Sequence, residues 1–161
     1  MIQLSERLLA MEESATIAMS RKSRELKAQG KDVISLSLGE PDFNTPQFIK
    51  DAATEAMDNN FTKYMPVPGY DDLRESISNK FKRDNNLNYD KDQIVVSTGA
   101  KQSIANVVLT LINPGDEVII PAPFWVSYIE IVKVAGGIPI LVNAGIDKDF
   151  KIDGKDLEEA I

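Results

Sequence analysis

The sequence lacks both cysteine and histidine: neither occurs among its 161 residues. A chain without cysteine forms no disulfide and offers no thiolate to a metal ion, and it suits the reducing cytoplasm, where we expect this protein to act. The absence of histidine excludes imidazole acid–base catalysis and a histidine-ligated zinc site within the chain. We therefore predict no metal site.

Long apolar runs and an excess of positive charge are also missing. No window approaches the roughly 20 apolar residues of a membrane-spanning helix, and the N-terminus lacks the apolar segment of a secretory signal. The formal net charge of −7 argues against binding to nucleic acid or to an anionic membrane, which depends on clusters of lysine and arginine. We therefore expect neither a nucleic acid nor a membrane among the partners.

The first half of the chain is predicted to be mainly helical. Polar residues with widely spaced apolar ones predict helix up to Gly30. Residues 33–38 are predicted to be extended, and the turn formers after them end in Thr45 and Pro46, the N-cap and first residue of a helix to about residue 57. An amphipathic pattern predicts another helix over residues 71–83.

From about residue 92, apolar runs alternate with helical stretches. Strands are predicted at residues 94–96, 117–120 and 138–142, with helices up to residues 112 and 135 between them. Continuous apolar strands separated by helices are typical of a buried parallel sheet. We therefore predict an α/β fold with a mostly parallel sheet flanked by helices.

The stretch Ser-Thr-Gly-Ala-Lys-Gln at residues 97–102, called here the anion turn, joins the predicted strand 94–96 to a helix. Unpaired N–H groups in the first turn of a helix, with its partial positive charge, suit a phosphate or carboxylate. Gly99 and Ala100 allow an anion to approach the backbone closely. The alternative is an ordinary turn capped by serine and threonine, and the segment alone leaves both interpretations open.

The single tryptophan, Trp125, follows the next predicted strand. Because ligands of a parallel sheet bind beyond the carboxyl ends of its strands, we expect Trp125 near the anion turn. Its ring could stack there on a planar ligand. The alternative is a core aromatic residue that packs against the start of a helix.

Five short motifs occur in a fixed order along the chain. They are Gly-Glu-Pro-Asp-Phe at residues 39–43, Lys63-Tyr64 with Pro68-Gly69, the anion turn, Asn-Pro-Gly-Asp-Glu-Val at residues 113–118 and Pro-Phe-Trp-Val-Ser-Tyr at residues 123–128. Together they resemble the N-terminal part of a class I aminotransferase of fold type I, a group that uses pyridoxal 5′-phosphate. The resemblance is strongest to the bacterial aspartate aminotransferase branch and covers essentially the whole chain.

The resemblance implies a fold, a cofactor and partners. It implies the three-layer αβα fold of these transferases, with residues 1–45 as an N-terminal arm and small-domain segment and residues 46–161 as the first part of the large domain. The implied cofactor is pyridoxal 5′-phosphate, and the implied substrates are an L-amino acid, aspartate or glutamate, and a 2-oxo acid. The implied assembly is a homodimer with shared active sites.

Cofactor-binding residues are implied by the same resemblance. The backbone N–H groups of Gly99, Ala100 and Lys101 would hold the cofactor phosphate. Trp125 would stack beside the pyridine ring. Tyr64 would reach the cofactor phosphate of the neighbouring subunit.

Substrate-binding residues are implied as well. Gly39 would lie against the substrate α-carboxylate, and Trp125 would contact the substrate. Thr16 and Lys101 match positions that bind the distal carboxylate. The alternatives are a helix cap for Thr16 and a solvated lysine for Lys101, but a lysine at a helix N-terminus opposes the helix dipole, which favours a functional reason for it.

The groups that carry out the family's chemistry are absent from this sequence. The resemblance requires a lysine that bonds to the cofactor, an acid at the pyridinium nitrogen, an arginine for the α-carboxylate and an asparagine near the cofactor oxygen. All of them follow Ile161 in the family pattern, and Lys101 matches the anion turn instead. We therefore expect a fragment of a longer protein, inactive alone and without a catalytic residue of its own.

Three other functions remain open at this point. A related enzyme on the same fold, such as an aromatic, alanine or prephenate aminotransferase or a synthase, would share these motifs. A transcription regulator with a ligand-binding domain of this fold would carry a basic DNA-binding domain upstream, whereas Met1 opens directly into the family's N-terminal helix. The third is a non-catalytic module that binds a phosphate ligand.

Overall fold

A computed structural model describes residues 3–161, so that Met1, on which the argument against a regulator rests, lies outside the described residues. The described residues form helices, two strands and two short 3-10 turns. The helices are α1 (Glu6–Leu9), α2 (Ala15–Ala28), α3 (Gln47–Asp58), α4 (Asp71–Asn85), α5 (Ala100–Leu111), α6 (Ser127–Ala135) and α7 (Gly154–Ala160), and the strands are β1 (Glu117–Ala122) and β2 (Ile138–Asn143).

The chain divides into two compact units. The first comprises the chain up to Gly39 together with Gly99–Ile161, and the second comprises Glu40–Thr98. Both strands and five of the helices, α1, α2, α5, α6 and α7, belong to the first unit, whereas α3 and α4 belong to the second. The predicted division at residue 45 concerns the domains of a longer protein and stays a prediction.

A parallel strand pair forms the centre of the first unit. β1 and β2 run in register from Glu117 opposite Ile138 to Ala122 opposite Asn143, and α6 connects them. Parallel neighbours need such a crossover. The core lies between this helix and the strands, where Val132 is 2 % exposed and Ile120 is 5 % exposed. The predicted α/β arrangement and the strands at residues 117–120 and 138–142 are therefore confirmed.

The turn from α6 into β2 depends on a close approach at Gly137. A Cβ atom on Gly137 would lie 2.8 Å from Cγ2 of Ile112 and 3.0 Å from Cγ1 of Val132. Only glycine leaves room for these two side chains to meet the backbone there. The position fixes the distance between the end of α6 and the residue that follows α5.

The predicted N-terminal helix is interrupted. α1 ends at Leu9 and α2 begins at Ala15, so that residues 10–14, called here the linker, separate them. An α-helix would require the Glu12 N–H to donate to a carbonyl four residues earlier. It donates instead to Oε2 of Glu130, at 3.0 Å. A long-range contact thus overrides local helix propensity, and the prediction of one helix is wrong.

In the second unit a nearly buried arginine joins α4 to the 3-10 turn Lys91–Gln93. The Arg74 side chain is 9 % exposed. It donates to the Lys91 carbonyl at 3.1 Å and to the Asp71 carboxylate, which also accepts a hydrogen bond from Lys91 Nζ at 2.8 Å. The predicted helix over residues 71–83 is confirmed, and this network anchors its first turn.

The predicted strand at residues 94–96 is wrong. The Ile94 N–H closes the 3-10 turn by donating to Lys91, and the Val96 N–H donates to the Pro68 carbonyl at 2.9 Å. A strand requires a neighbouring strand, and the described second unit contains none. The apolar run has another cause, since Ile94 is buried. Residues 33–38 likewise belong to no strand in the described part of the chain.

Helix starts differ slightly from the predicted ones. α3 begins at Gln47 with Pro46 as its N-cap, one residue later than expected for Thr45 and Pro46. α7 begins at Gly154, because Asp153 accepts hydrogen bonds from the backbone of Lys155 and Asp156. Across residues 3–161 no helix has the length and apolar character needed to span a membrane.

Candidate functional site

The anion turn opens α5 with an unusual glycine. Gly99 is the N-cap, with φ +85° and ψ 164°, a conformation that favours glycine. Its carbonyl accepts hydrogen bonds from the N–H groups of Gln102 and Ser103, at 3.1 and 3.3 Å. The N–H groups of Ala100 and Lys101 precede this pair and have no carbonyl partner within the helix, because the residues four positions earlier lie before the helix begins. They lie at the positive end of the helix dipole.

The space beside Gly99 is open. A Cβ atom built on Gly99 would have no heavy atom within 4 Å, apart from its chain neighbours. A group that approaches the turn therefore meets backbone rather than side chains. Donors, partial positive charge and free space are the three properties that a phosphate or carboxylate needs at a helix N-terminus.

Lys101 and Trp125 lie in contact beside this turn. The Lys101 ammonium is 5.6 Å from the centroid of the Trp125 ring, a cation–π arrangement. Trp125 follows the carboxyl end of β1, as predicted, and 47 % of it is exposed, so it is not a core residue. The structure therefore brings together Gly99, Ala100, Lys101 and Trp125.

A groove of about 310 Å³ extends from Lys101 along α5 and α6. Its walls are mostly apolar and include Leu109 and Val134. The linker closes one side through Met11, Glu12 and Ser14. Lys101 is the cation of this lining, and Glu12 and Glu130 place two carboxylates at its edge.

Glu130 connects the linker to α6 at the edge of this groove. One of its carboxylate oxygens accepts the Glu12 N–H at 3.0 Å, and the other accepts a hydrogen bond from Lys133 Nζ at 3.0 Å. The Glu130 side chain is 18 % exposed. No local sequence pattern points to Glu130, because it lies 118 positions from Glu12.

The other predicted site residues, Thr16, Gly39 and Tyr64, lie outside the anion turn. Thr16 is half-buried in the first turn of α2, where Ser14 rather than Thr16 is the N-cap. Gly39 is exposed, and a Cβ atom there would have no heavy atom within 4 Å beyond its neighbours. Tyr64 belongs to the second unit, and its side chain is fully exposed.

No group of three or more acidic residues that could hold a metal ion occurs among residues 3–161. The site is built instead from backbone donors, a cation and an aromatic ring.

Comparison with known proteins gives consistent matches along the whole chain. The sequence model of the family "Aminotransferase class I and II" matches residues 31–161. An aspartate/prephenate aminotransferase from Nitrosomonas europaea is 51 % identical over 160 residues, which is 99 % of this chain and 40 % of that protein. An aspartate aminotransferase from Bacillus sp. is 48 % identical over 158 residues, 98 % of this chain and 40 % of that protein. The chain thus spans about two fifths of the length of these curated relatives.

Solved structures agree with the sequence relatives. Aspartate aminotransferase from Thermus thermophilus with maleate superimposes with a TM-score of 0.94 at 42 % identity, over 100 % of this chain and 42 % of that one. The chain therefore has the α/β fold of the corresponding part of these enzymes. With its anion turn at the start of α5, an aromatic ring beside that turn and a family match over four fifths of its length, this chain belongs to the aminotransferase class I and II family.

Proposed function

We propose that this chain is the N-terminal part of an enzyme that transfers an amino group between an L-amino acid and a 2-oxo acid. The observation that carries the proposal is the anion turn, which presents backbone donors and open space beside Trp125 and Lys101. The cofactor would be pyridoxal 5′-phosphate, and the two half-reactions would follow a ping-pong order. The chain spans about 40 % of its relatives, which supports a longer protein.

The described residues fit this cofactor. Its phosphate is an anion that the N–H groups of Gly99, Ala100 and Lys101 would bind at the positive end of α5. Its pyridine ring is planar, and Trp125 offers an accessible aromatic face. When bound, the cofactor supplies the electron sink that stabilises negative charge at the substrate Cα.

The chain's own residues would bind and orient, and they would not transfer protons. Trp125 would cover one face of the cofactor ring and keep water from it. The open backbone at Gly39 would lie against the substrate α-carboxylate. We place the lysine that bonds to the cofactor in the part of the protein outside these 161 residues.

The preferred amino donor would be a dicarboxylic acid, aspartate or glutamate. Lys101 supplies a cation beside the candidate cofactor site, and Thr16 lies in the helix turn that follows the groove-lining Ser14. The Lys101 ammonium beside Trp125 would attract a second carboxylate on the substrate. Relatives named as aspartate aminotransferases support the same substrate class.

Prephenate is a second candidate for the 2-oxo acid. Several relatives at about half identity are named aspartate/prephenate aminotransferases. Prephenate also carries two carboxylates, one on its ring and one in its 2-oxo acid side chain, so that Lys101 could bind the ring carboxylate.

The proposed assembly is a homodimer in the cytoplasm. The resemblance gives Tyr64 a role at the cofactor phosphate of the neighbouring subunit, and the full exposure of this side chain leaves it available for such a contact.

A substrate panel on the full-length protein tests the proposal. With pyridoxal 5′-phosphate present, we expect amino transfer from aspartate or glutamate to exceed transfer from alanine by at least about tenfold. In the same assay Trp125→Ala should weaken cofactor or substrate binding, while Trp125→Phe retains a stacking ring. Absence of amino transfer to every 2-oxo acid, or unchanged kinetics in Trp125→Ala, would contradict the proposed roles.

A further inference from the structure

We infer that Glu130 is a positioning residue that holds the linker against α6 and so shapes the groove beside Lys101. The inference rests on the proposed function, in which Lys101 receives the distal carboxylate of the substrate. Glu130 itself would not contact the reacting atoms. It would act through the linker, which leads into the first turn of α2.

Both oxygens of the Glu130 carboxylate are occupied. Oε2 accepts the Glu12 N–H at 3.0 Å, and Oε1 accepts Lys133 Nζ at 3.0 Å. The Lys133 contact fixes the orientation of the carboxylate along α6, since the two residues are three positions apart on one helix face. The carboxylate therefore presents its second oxygen to the linker in a defined direction.

The Glu130 carboxylate is more shielded from water than the carboxylate of a surface ion pair. The Glu130 and Lys133 side chains are 18 % and 27 % exposed. By comparison, Glu13 of the same linker pairs with Arg21, and these side chains are 52 % and 54 % exposed. A charged acceptor that is shielded from water forms a strong hydrogen bond with a backbone N–H, whereas an exposed pair contributes little.

The linker has few other anchors. Among the described residues of α1 and α2, none is buried. The two helices therefore gain little from apolar burial. The half-buried Glu130 carboxylate, which binds the linker backbone, is then a major determinant of where the linker lies.

The linker forms the side of the groove that faces α5 and α6. Met11, Glu12 and Ser14 line it, together with Lys101 and Glu130. Release of the Glu12 backbone would move this wall and the start of α2 relative to Lys101. Recognition of the second carboxylate should suffer, while binding of a substrate without that carboxylate should not.

The test combines amide hydrogen exchange with steady-state kinetics on the full-length holoenzyme. The variants are Glu130→Ala, Glu130→Gln and the control Glu158→Ala, which removes an exposed glutamate of α7. In Glu130→Ala the Glu12 amide should exchange about tenfold faster or more, and the KM for aspartate should rise about fivefold with little change for alanine. Glu130→Gln should give values between those of the wild type and Glu130→Ala, since its one amide oxygen can still accept the Glu12 N–H but the charge and the second acceptor are lost.

Each outcome decides the inference. Unchanged exchange of the Glu12 amide in Glu130→Ala would overturn it whatever the kinetics. Faster exchange with an unchanged aspartate KM, or an equal effect on aspartate and alanine, would overturn the positioning role. If Glu130→Ala fails to fold, the Gln variant and the wild type still test the inference. In the wild type the Glu12 amide should exchange at least about tenfold more slowly than an unprotected amide. Absence of amino transfer in the wild type would overturn the proposed function and the expected effect on KM. Exchange at the Glu12 amide does not depend on activity, so it would still decide whether Glu130 holds the linker.

Discussion

Gly99 is the residue on which the anion turn depends most directly. Its φ of +85° and ψ of 164° place it where residues with a side chain are strained, by about 1–3 kcal/mol. A Cβ atom there would collide with nothing nearby. A substitution therefore acts through the backbone, which would turn the N–H groups of Ala100 and Lys101 away from a bound anion.

Gly99→Ala should consequently weaken binding of pyridoxal 5′-phosphate by about tenfold, the effect of roughly 1.4 kcal/mol of strain. The measurement is a spectrophotometric titration of the full-length apoprotein with the cofactor. Gly154→Ala is a matched control, because Gly154 also begins a helix in open space but has no positive φ. Equal affinities in both variants and the wild type would contradict the role of the turn.

Asp71 links the fold to pH. Hydrogen bonds from Lys91 and then Arg74 hold the pKa of the Asp71 carboxyl below its ordinary value. Because the pKa in the folded state lies below the unfolded one, the pairing stabilises the protein fully above about pH 4 and is lost as the pH falls through the lowered pKa. Asp71→Asn should therefore flatten the fall of the melting temperature between about pH 5 and pH 2. The control Asp58→Asn, at the exposed end of α3, should keep the steeper wild-type dependence of the melting temperature on pH. The same steep dependence in Asp71→Asn would count against the stabilising role of the Asp71 hydrogen bonds.

At the scale of elements, the sequence was sufficient where one element determines its own structure. The amphipathic pattern predicted α4, and the apolar runs with their Gly and Pro punctuation predicted β1, α6 and β2. It failed where a distant contact decides. The strand at residues 94–96 has no neighbour to pair with in the described second unit, and the N-terminal helix breaks because Glu12 bonds to Glu130.

The candidate site could likewise be predicted only in part from the sequence. Gly99, Lys101 and Trp125 could be predicted because a turn and a strand end lie next to them in the sequence. The contact between Lys101 and Trp125 and the groove beside them depend on how α5 and α6 lie together, which no local pattern specifies.

The packing of α6 on the strand pair has its own test at Gly137. An added methyl group would lie 2.8 Å from Ile112 and 3.0 Å from Val132, closer than contact distance. Gly137→Ala should therefore lower the free energy of unfolding of the full-length protein by about 1–3 kcal/mol. Thermal denaturation followed by circular dichroism measures this, with Gly154→Ala as the control that has room for a methyl group. An unchanged melting temperature in Gly137→Ala would contradict the close packing described here, because it would show that α6 and the strands leave room for a methyl group.

At the scale of the whole molecule, few apolar side chains are covered. The buried apolar residues of the described chain are Ile94, Ile120, Val132 and Ala144. Large apolar side chains such as Leu36, Phe43 and Val67 are at least 89 % exposed. A core of this size offsets little of the conformational entropy of 161 residues. If the chain is part of a longer protein, as proposed, the remaining part would cover these exposed apolar side chains.

The isolated chain should accordingly aggregate or unfold without cooperativity, since exposed strand edges and apolar surface favour association. Size-exclusion chromatography with light scattering and a urea titration measure both properties. A clean monomer with one sharp unfolding transition would contradict this expectation.

The central claim is that the chain holds the cofactor through its anion turn while the lysine that bonds to the cofactor lies elsewhere in the protein. Borohydride reduction of the full-length holoenzyme, followed by peptide mapping, tests both parts in one measurement. The account predicts a single covalent cofactor adduct on a lysine outside residues 1–161, with Lys101 unmodified and with less adduct in Gly99→Ala at limiting cofactor. A specific adduct on Lys101, or on any other lysine of these residues, would contradict it.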